Sequence, residues 1–220
     1  MKNRILTFFM AATLGLTVSC KNDKTSEAGE AAEVQEASAE AVTYNVDAAN
    51  SKIEWSGSKP TGKHTGTIAI SDGTVAVKGD QLESGKFVID MNSIVVTDLT
   101  GEEKQGLEAH LKGTGKPGAE DEFFNVKKYP TGNFELTKAV TENGKTNVEG
   151  NLTLKGVTKN VKFPATVAVN GDTVTITSET FAINRTEWNV NYGSKSVFDN
   201  LGDKFINDEI ELKVSVTAKK

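Results

Sequence analysis

Apolar and polar residues alternate with a period of two through most of the chain from Tyr44 onward. In 208–218, Ile210, Leu212, Val214 and Val216 fall on one face, with Glu209, Glu211, Lys213, Ser215 and Thr217 on the other. Val148, Gly150, Leu152 and Leu154 oppose Asn147, Glu149, Asn151 and Thr153 in the same manner, and shorter runs recur at Ile68/Ile70, Val75/Val77, Phe87/Ile89/Met91, Phe134/Leu136 and Val174/Ile176. One apolar and one polar face per strand marks an antiparallel sheet with a wet side. Between the runs lie Ser71-Asp72-Gly73, Lys78-Gly79-Asp80, Glu142-Asn143-Gly144 and Asn170-Gly171-Asp172, whose Asn, Asp and Gly residues tolerate the positive φ of tight hairpins. Consecutive hairpins build a meander that closes into a barrel or folds into a sandwich, and closure leaves no exposed edge. The expected fold is all-β, a barrel of about eight strands.

Two regions break the alternation. Thr100-Gly101-Glu102-Glu103 has the form of a capping box, predicting a helix that ends near Lys112 and carries Leu107 and Leu111 on one face. A further helical turn is expected within 121–126, which contains Phe123 and Phe124. The N-terminal region divides differently. Residues 1–19 pair Lys2 and Arg4 with an apolar stretch from Ile5 to Val18 and a small residue, Ser19, as secretory leaders do. Cys20, the only cysteine, then resembles the acylated cysteine of a bacterial lipobox, although Thr17 stands where leucine is commoner. Acylation there would give a lipid anchor; the alternative is an ordinary secretion signal with an incidental cysteine. Residues 20–43 read as the anchor and a disordered acidic tether of Ala, Glu, Ser and Gln, too poor in apolar side chains to offset its ordering entropy. The folded domain is expected over 44–220.

Loss of the leader's two cations takes the formal charge from −5 to −7, a balance that repels phosphate backbones and argues against a nucleic-acid partner. The chemistry of catalysis is sparse. The chain has two histidines, His64 and His110, and no nucleophile elbow, phosphate loop or dinucleotide fingerprint, so no metal or cofactor is expected. Arg185 is the only arginine beyond the leader. Where lysine otherwise supplies the positive charge, a lone guanidinium indicates a need for its planar five-donor fork, as a structural clasp or as a group facing a ligand. An enzyme using Arg185 with a nearby carboxylate such as Glu187 is the least favoured alternative. His64 is expected to make a structural hydrogen bond or to meet a ligand head group. The apolar face itself either fills a solid core, as in a structural or interaction module, or lines a slender cavity.

Several segments, in order, resemble the YceI-like family of lipid-binding periplasmic proteins. They are Ser51-Lys52-Ile53-Glu54-Trp55, Gly62-Lys63-His64-Thr65-Gly66, 85–93, His110-Leu111-Lys112, Glu122-Phe123-Phe124-Asn125-Val126, Tyr129-Pro130, 148–159 and Ile183-Asn184-Arg185. The resemblance implies an extended, lipocalin-like antiparallel barrel whose long apolar cavity holds a polyisoprenoid or quinone-like tail without catalysis. Alternation and resemblance together nominate Ile53, Trp55, Ile68, Phe87, Ile89, Leu152, Leu154, Ile176, Phe181 and Ile183 as cavity lining, with His64 and Arg185 as polar contacts. The expectation is a carrier or reservoir for an apolar lipid, held in the bacterial cell envelope by Cys20, at the outer membrane facing the periplasm or exposed at the surface. A homodimer through an open barrel edge is a further expectation.

Overall fold

The computed structural model describes residues 25–220, so the expected leader and Cys20 lie outside the described residues. The strands are β1 (Val42–Val46), β2 (Lys52–Lys59), β3 (Gly62–Lys78), β4 (Gln81–Asp90), β5 (Val95–Val96), β6 (Thr131–Glu142), β7 (Lys145–Leu154), β8 (Val157–Asn170), β9 (Thr173–Ser178), β10 (Phe181–Asn184) and β11 (Glu209–Lys219), with one α-helix, α1 (Gly101–Lys112). Strands β2, β3, β4, β6, β7, β8, β9 and β11 form a closed antiparallel ring of eight, because β11 pairs with both β2 and β9. The expected barrel is therefore the observed fold. Closure also engages within the chain the edges that a sheet-to-sheet dimer would use.

The ring is completed differently at its two ends. At the end formed by the β3–β4, β6–β7 and β8–β9 turns, β1 fits between β3 and β11, with Tyr44 opposite Val75 and Val46 opposite Ala218. At the opposite end, called the mouth, β10 replaces β9 beside β11, pairing Ala182 with Glu211 and Ile183 with Ile210. There β5 also takes the edge of β3 that β4 has left, with Val96 opposite Gly66. Each substitution satisfies backbone groups that a buried or exposed edge would leave open.

Residues 25–41, within the segment whose composition predicts a disordered tether, instead run across the outside of the barrel. The seam between β8 and β10 is filled by Thr25, bridging Ala182 in parallel, and Gly29, bridging Asn160 in antiparallel fashion. Ser26 N–H donates to the Ala182 carbonyl at 2.7 Å, and Gly29 and Asn160 exchange two bonds of 2.8 and 2.9 Å. Farther along, the Asn151 side chain pairs with the backbone of Ala32, Gln35 N–H donates to Leu136 O, and Glu40 meets Lys78. What orders this strap is open strand edge and polar side chains, which its own apolar content does not reveal.

Inside, the alternating faces meet in one core that includes Ile70, Val75, Val77, Leu136, Val161, Val174 and Val216. Two close approaches fix its shape. A Cβ at Gly150 would stand 2.1 Å from the ring of Phe134, and one at Gly66 would stand 2.0 Å from the Val95 carbonyl and 2.4 Å from the indole of Trp55. Glycine at these positions lets aromatic rings lie on bare backbone, a device that seats large side chains in a strongly curved sheet.

The predicted helix is present with the expected bounds, but its cap differs. Thr100 is the N-cap residue, yet its side chain makes no capping bond, and Gly101 begins the helix at φ 58. The Glu108 side chain instead accepts from Val96 N–H at 2.9 Å and ties the helix to β5. In place of the second expected turn, Glu120–Glu122 forms a short 3-10 helix.

Candidate functional site: an apolar cavity at the barrel mouth

A cavity of about 380 Å³ opens at the mouth, within the size range of small-molecule sites. A smaller space of about 70 Å³ continues toward the far end. Both are lined by Ile53, Ile89, Leu152 and Leu212, so they are successive sections along one axis. The ten residues nominated as lining all face this interior: Ile53, Trp55, Ile68, Ile89, Leu152, Leu154 and Ile183 the larger section, and Phe87, Ile176 and Phe181 the deeper one.

Four aromatic rings narrow the deep section. Phe87 lies 6.1 Å from Phe134, Phe134 lies 5.8 Å from Phe163, and Phe163 stacks on Phe181 at 4.4 Å and 10°. The mouth section is completed by residues beyond those ten. Met91 and Ile94 come from the turn after β4, Leu107, His110 and Leu111 from α1, Phe123 and Phe124 from the following loop, and Trp188, Val190, Tyr192 and Ile206 from 185–208. Ile210 and Leu212 also line it, on the alternating face of β11.

Arg185 holds this last segment in place. Its side chain is 2% exposed. It donates from Nε to Asn207 O and from Nη2 to Ile206 O, both at 3.1 Å, and from Nη1 to Val190 O. The carboxylate beside it is Asp208, at 3.6 Å from Nη2, whereas Glu187, the partner considered for an enzyme, is exposed. Burial pushes the guanidinium pKa down and Asp208 partly opposes this. A fork directed at three backbone carbonyls is a clasp, although Arg185 also contributes to the cavity wall. Trp188, fully buried, reinforces the clasp by donating from Nε1 to Leu152 O at 2.9 Å.

The rim is polar. His64 Nδ1 lies 2.8 Å from Asp98 Oδ2, and Thr65 N–H donates to Asp98 Oδ1 at 2.8 Å. This is the structural bond expected of His64, which also lines the opening together with Lys59 and Lys204. Desolvation pushes the Asp98 carboxyl pKa up, but the bonds from Thr65 and His64 outweigh it and leave the group below its ordinary value. On the other side, His110 Nε2 stands 2.6 Å from Glu122 Oε2, with its ring edge-on to Phe123 and Tyr192. Lys155, whose pKa burial lowers, donates to Asp121 O and Asn189 O. From the β7–β8 turn it joins both mouth loops, a role that only its place in a positive-φ pair with Gly156 hints at. The indole Nε1 of Trp55 is buried without an acceptor among the described residues. The arrangement suits an apolar body inside and a polar group at the rim.

A family model described as the YceI-like domain matches residues 44–218. The YceI protein of Salmonella arizonae is 32% identical over 107 residues, 49% of this chain and 50% of that relative, so the match spans about half the relative's length. Among solved structures, BcnA of Burkholderia cenocepacia superposes with a TM-score of 0.59 at 26% identity, covering 79% of this chain and 99% of that one. A polyisoprenoid binding domain from Saccharophagus degradans, implicated in plant cell wall breakdown, superposes with a TM-score of 0.56 at 16% identity, covering 80% and 97%.

Proposed function

The chain belongs to the YceI-like family, and we propose that it is a membrane-tethered binding protein for a long apolar lipid, a polyisoprenoid or an isoprenoid quinone. The observation that carries this reading is the mouth cavity of about 380 Å³, walled by aliphatic and aromatic side chains and continuous in direction with the deeper space. Apolar surface entering such a cavity gains roughly 25 cal/mol per Å² buried, reduced by the entropy lost on association. The polyisoprenoid binding of the structurally similar Saccharophagus domain agrees with this ligand class. Under this reading Cys20 is acylated, the domain is held at an envelope membrane, and the lipid is stored or carried without chemical change.

The test is to purify the protein without detergent other than that needed for its anchor and to examine the intact complex and its organic extract by mass spectrometry. One isoprenoid per chain, lost when Leu154→Asp places a charge in the mouth section, supports the reading. A folded protein that carries no lipid, even after incubation with prenyl quinones and polyprenols, would overturn it in favour of an interaction module.

A further inference from the structure

The barrel wall has a gap on one side. Strand β8 pairs with β7 over 157–165 and with β9 over 165–170, while β10 has β11 as its strand partner. Residues 157–164 of β8 and 181–184 of β10 therefore face each other across a space that no other strand of the described residues fills. The strap fills it instead. Ser26 N–H donates to Ala182 O at 2.7 Å, Gly29 and Asn160 exchange bonds of 2.8 and 2.9 Å, and Lys162 N–H donates to Ser26 Oγ at 2.8 Å. Ser26 is buried and Ala28 packs against the core, so these residues form part of the wall itself.

Behind the strap lies the cavity. Phe163 of β8 and Phe181 of β10 stack across the gap at 4.4 Å and 10°. Both line the deep section with Val161, while Ile183 lines the mouth section, so the gap meets the cavity where its two sections join. Glu179 N–H donates to Pro164 O at 2.9 Å and bounds the gap on the deep side; Trp188, bonded to Leu152 O, bounds it toward the mouth. Paired strands lie about 4.8 Å apart. A gap that holds one extended peptide thus separates β8 from β10 by about 10 Å, room for one extended hydrocarbon chain. The peptide is lightly held there. Its four hydrogen bonds, the methyl group of Ala28 and an exposed ion pair of Glu30 with Lys159 are each of small net worth, whereas β7 and β11 carry ladders on both sides.

We infer that residues 25–29 are a removable stave, and that lifting them opens a lateral port through which an apolar chain passes between the cavity and its surroundings. The port rests on the lipid-binding reading above. Four rings narrow the deep section, so a long chain leaving by the mouth is drawn out end-first past them. A port beside Phe163 and Phe181 releases it sideways once that one stack has parted. Such a gate speeds or slows entry and release together and leaves affinity unchanged, because it alters the path between the loaded and empty states and not the states themselves.

The experiment locks the strap. A Cβ at Gly29 would stand 3.9 Å from that of Asn160, the separation a disulfide needs, so Gly29→Cys with Asn160→Cys gives a chain that oxidant closes and reductant frees. The full chain is used as isolated, in neutral detergent, with the disulfide located by peptide mass. The probe is all-trans-retinol, a fluorescent isoprenoid alcohol, followed by energy transfer from Trp55 and Trp188, which line the cavity. Displacement by excess geranylgeraniol gives its release rate. The oxidised chain is expected to bind and release retinol at least about tenfold more slowly than the same chain reduced, with the dissociation constant changed by less than about twofold. Gly29→Pro, which removes the donor to Asn160 O, should raise both rates about threefold or more. Equal rates in the oxidised and reduced chain assign exchange to the mouth and overturn the inference. A change confined to affinity makes the strap a fixed part of the wall and overturns it as well. Absence of energy transfer in every form removes the lipid-binding reading and the port with it, an outcome distinct from binding whose rates ignore the cross-link.

Discussion

Phe134 lies directly over Gly150 on the neighbouring strand, its ring occupying the space where any larger residue would carry a Cβ. Leu136 is the strand partner of Gly150, and Phe134 is partner to Leu152, so the ring leans diagonally across the β6–β7 pair. Gly150→Ala forces the ring away or the strands apart, an overpacking expected to cost about 1–3 kcal/mol. Urea unfolding of the variant measures this. Phe134→Leu, made in the same chain, should recover part of the loss, giving a coupling that two independent substitutions would lack.

Phe134 also belongs to the row of rings, with Phe87, Phe163 and Phe181, that narrows the deep section of the cavity. If a prenyl chain enters from the mouth, those rings set how far it goes. Phe134→Leu alone should shift the preferred ligand toward longer chains, read from competition among prenyl quinones of graded length. An unchanged length profile would mean that ligand ends in the mouth section.

How legible the site was depends on the element concerned. Ile53, Ile89, Leu152 and Ile183 could be placed because a strand with one wet face announces its inner face every second residue. Trp188, Val190 and Ile206 could not, since the loop carrying them is organised by bonds from Arg185 to backbone carbonyls, and a carbonyl leaves no mark on the sequence. Arg185 itself stood out as the lone arginine, but its neighbour in sequence, Glu187, proved exposed while Asp208 lies beside it. The strap failed for a related reason. Composition measures what side chains can bury, whereas 25–41 is held mainly at strand edges and by the Asn151 amide. Thr100-Gly101-Glu102-Glu103 has the pattern of a reciprocal cap, yet it is Glu108, about two turns into the helix, that makes the bond tying the helix down.

Arg185→Lys separates clasp from catalysis. An ammonium cannot meet the carbonyls of Val190, Ile206 and Asn207 with the geometry of a planar fork. Each charged hydrogen bond lost is worth about 1.5–3 kcal/mol, so the variant should lose at least about 2 kcal/mol in chemical denaturation. Amide exchange should rise first in 189–208. Glu187→Gln, on the exposed side of the same turn, should stay within about 0.5 kcal/mol of the parent.

Acid should loosen the rim at Asp98. Its carboxyl pKa lies below the ordinary aspartate value because the bonds from Thr65 and His64 outweigh desolvation. A group whose pKa is lower folded than unfolded favours the folded state above its unfolded value, about 3.9. That contribution fades as pH falls below this value and through the depressed folded one. Amide exchange at Thr65, scaled for intrinsic rate, should therefore lose protection between pH 5 and strongly acidic conditions, windows set by the ordinary value of about 3.9. Asp98→Asn should show lower protection at neutral pH and little further change with acid.

The strap offers the sharpest contrast between composition and structure. Asn160 N–H donates to Gly29 O, and Lys162 N–H donates to Ser26 Oγ at 2.8 Å, so both amides depend on residues outside the matched domain of 44–218. Gly29→Pro removes the donor to Asn160 O, and deletion of 25–40 frees the whole seam. With a net worth of about 0.5–1.5 kcal/mol per hydrogen bond, the deletion should cost about 2–4 kcal/mol. Exchange at Asn160 and Lys162 should accelerate by about tenfold or more, while amides of β7, paired on both sides by β6 and β8, keep their protection. Identical exchange at Asn160 and Lys162 with and without the strap would mean that 25–41 is the free tether its Ala and Glu content suggests, and that the β8–β10 seam stands open.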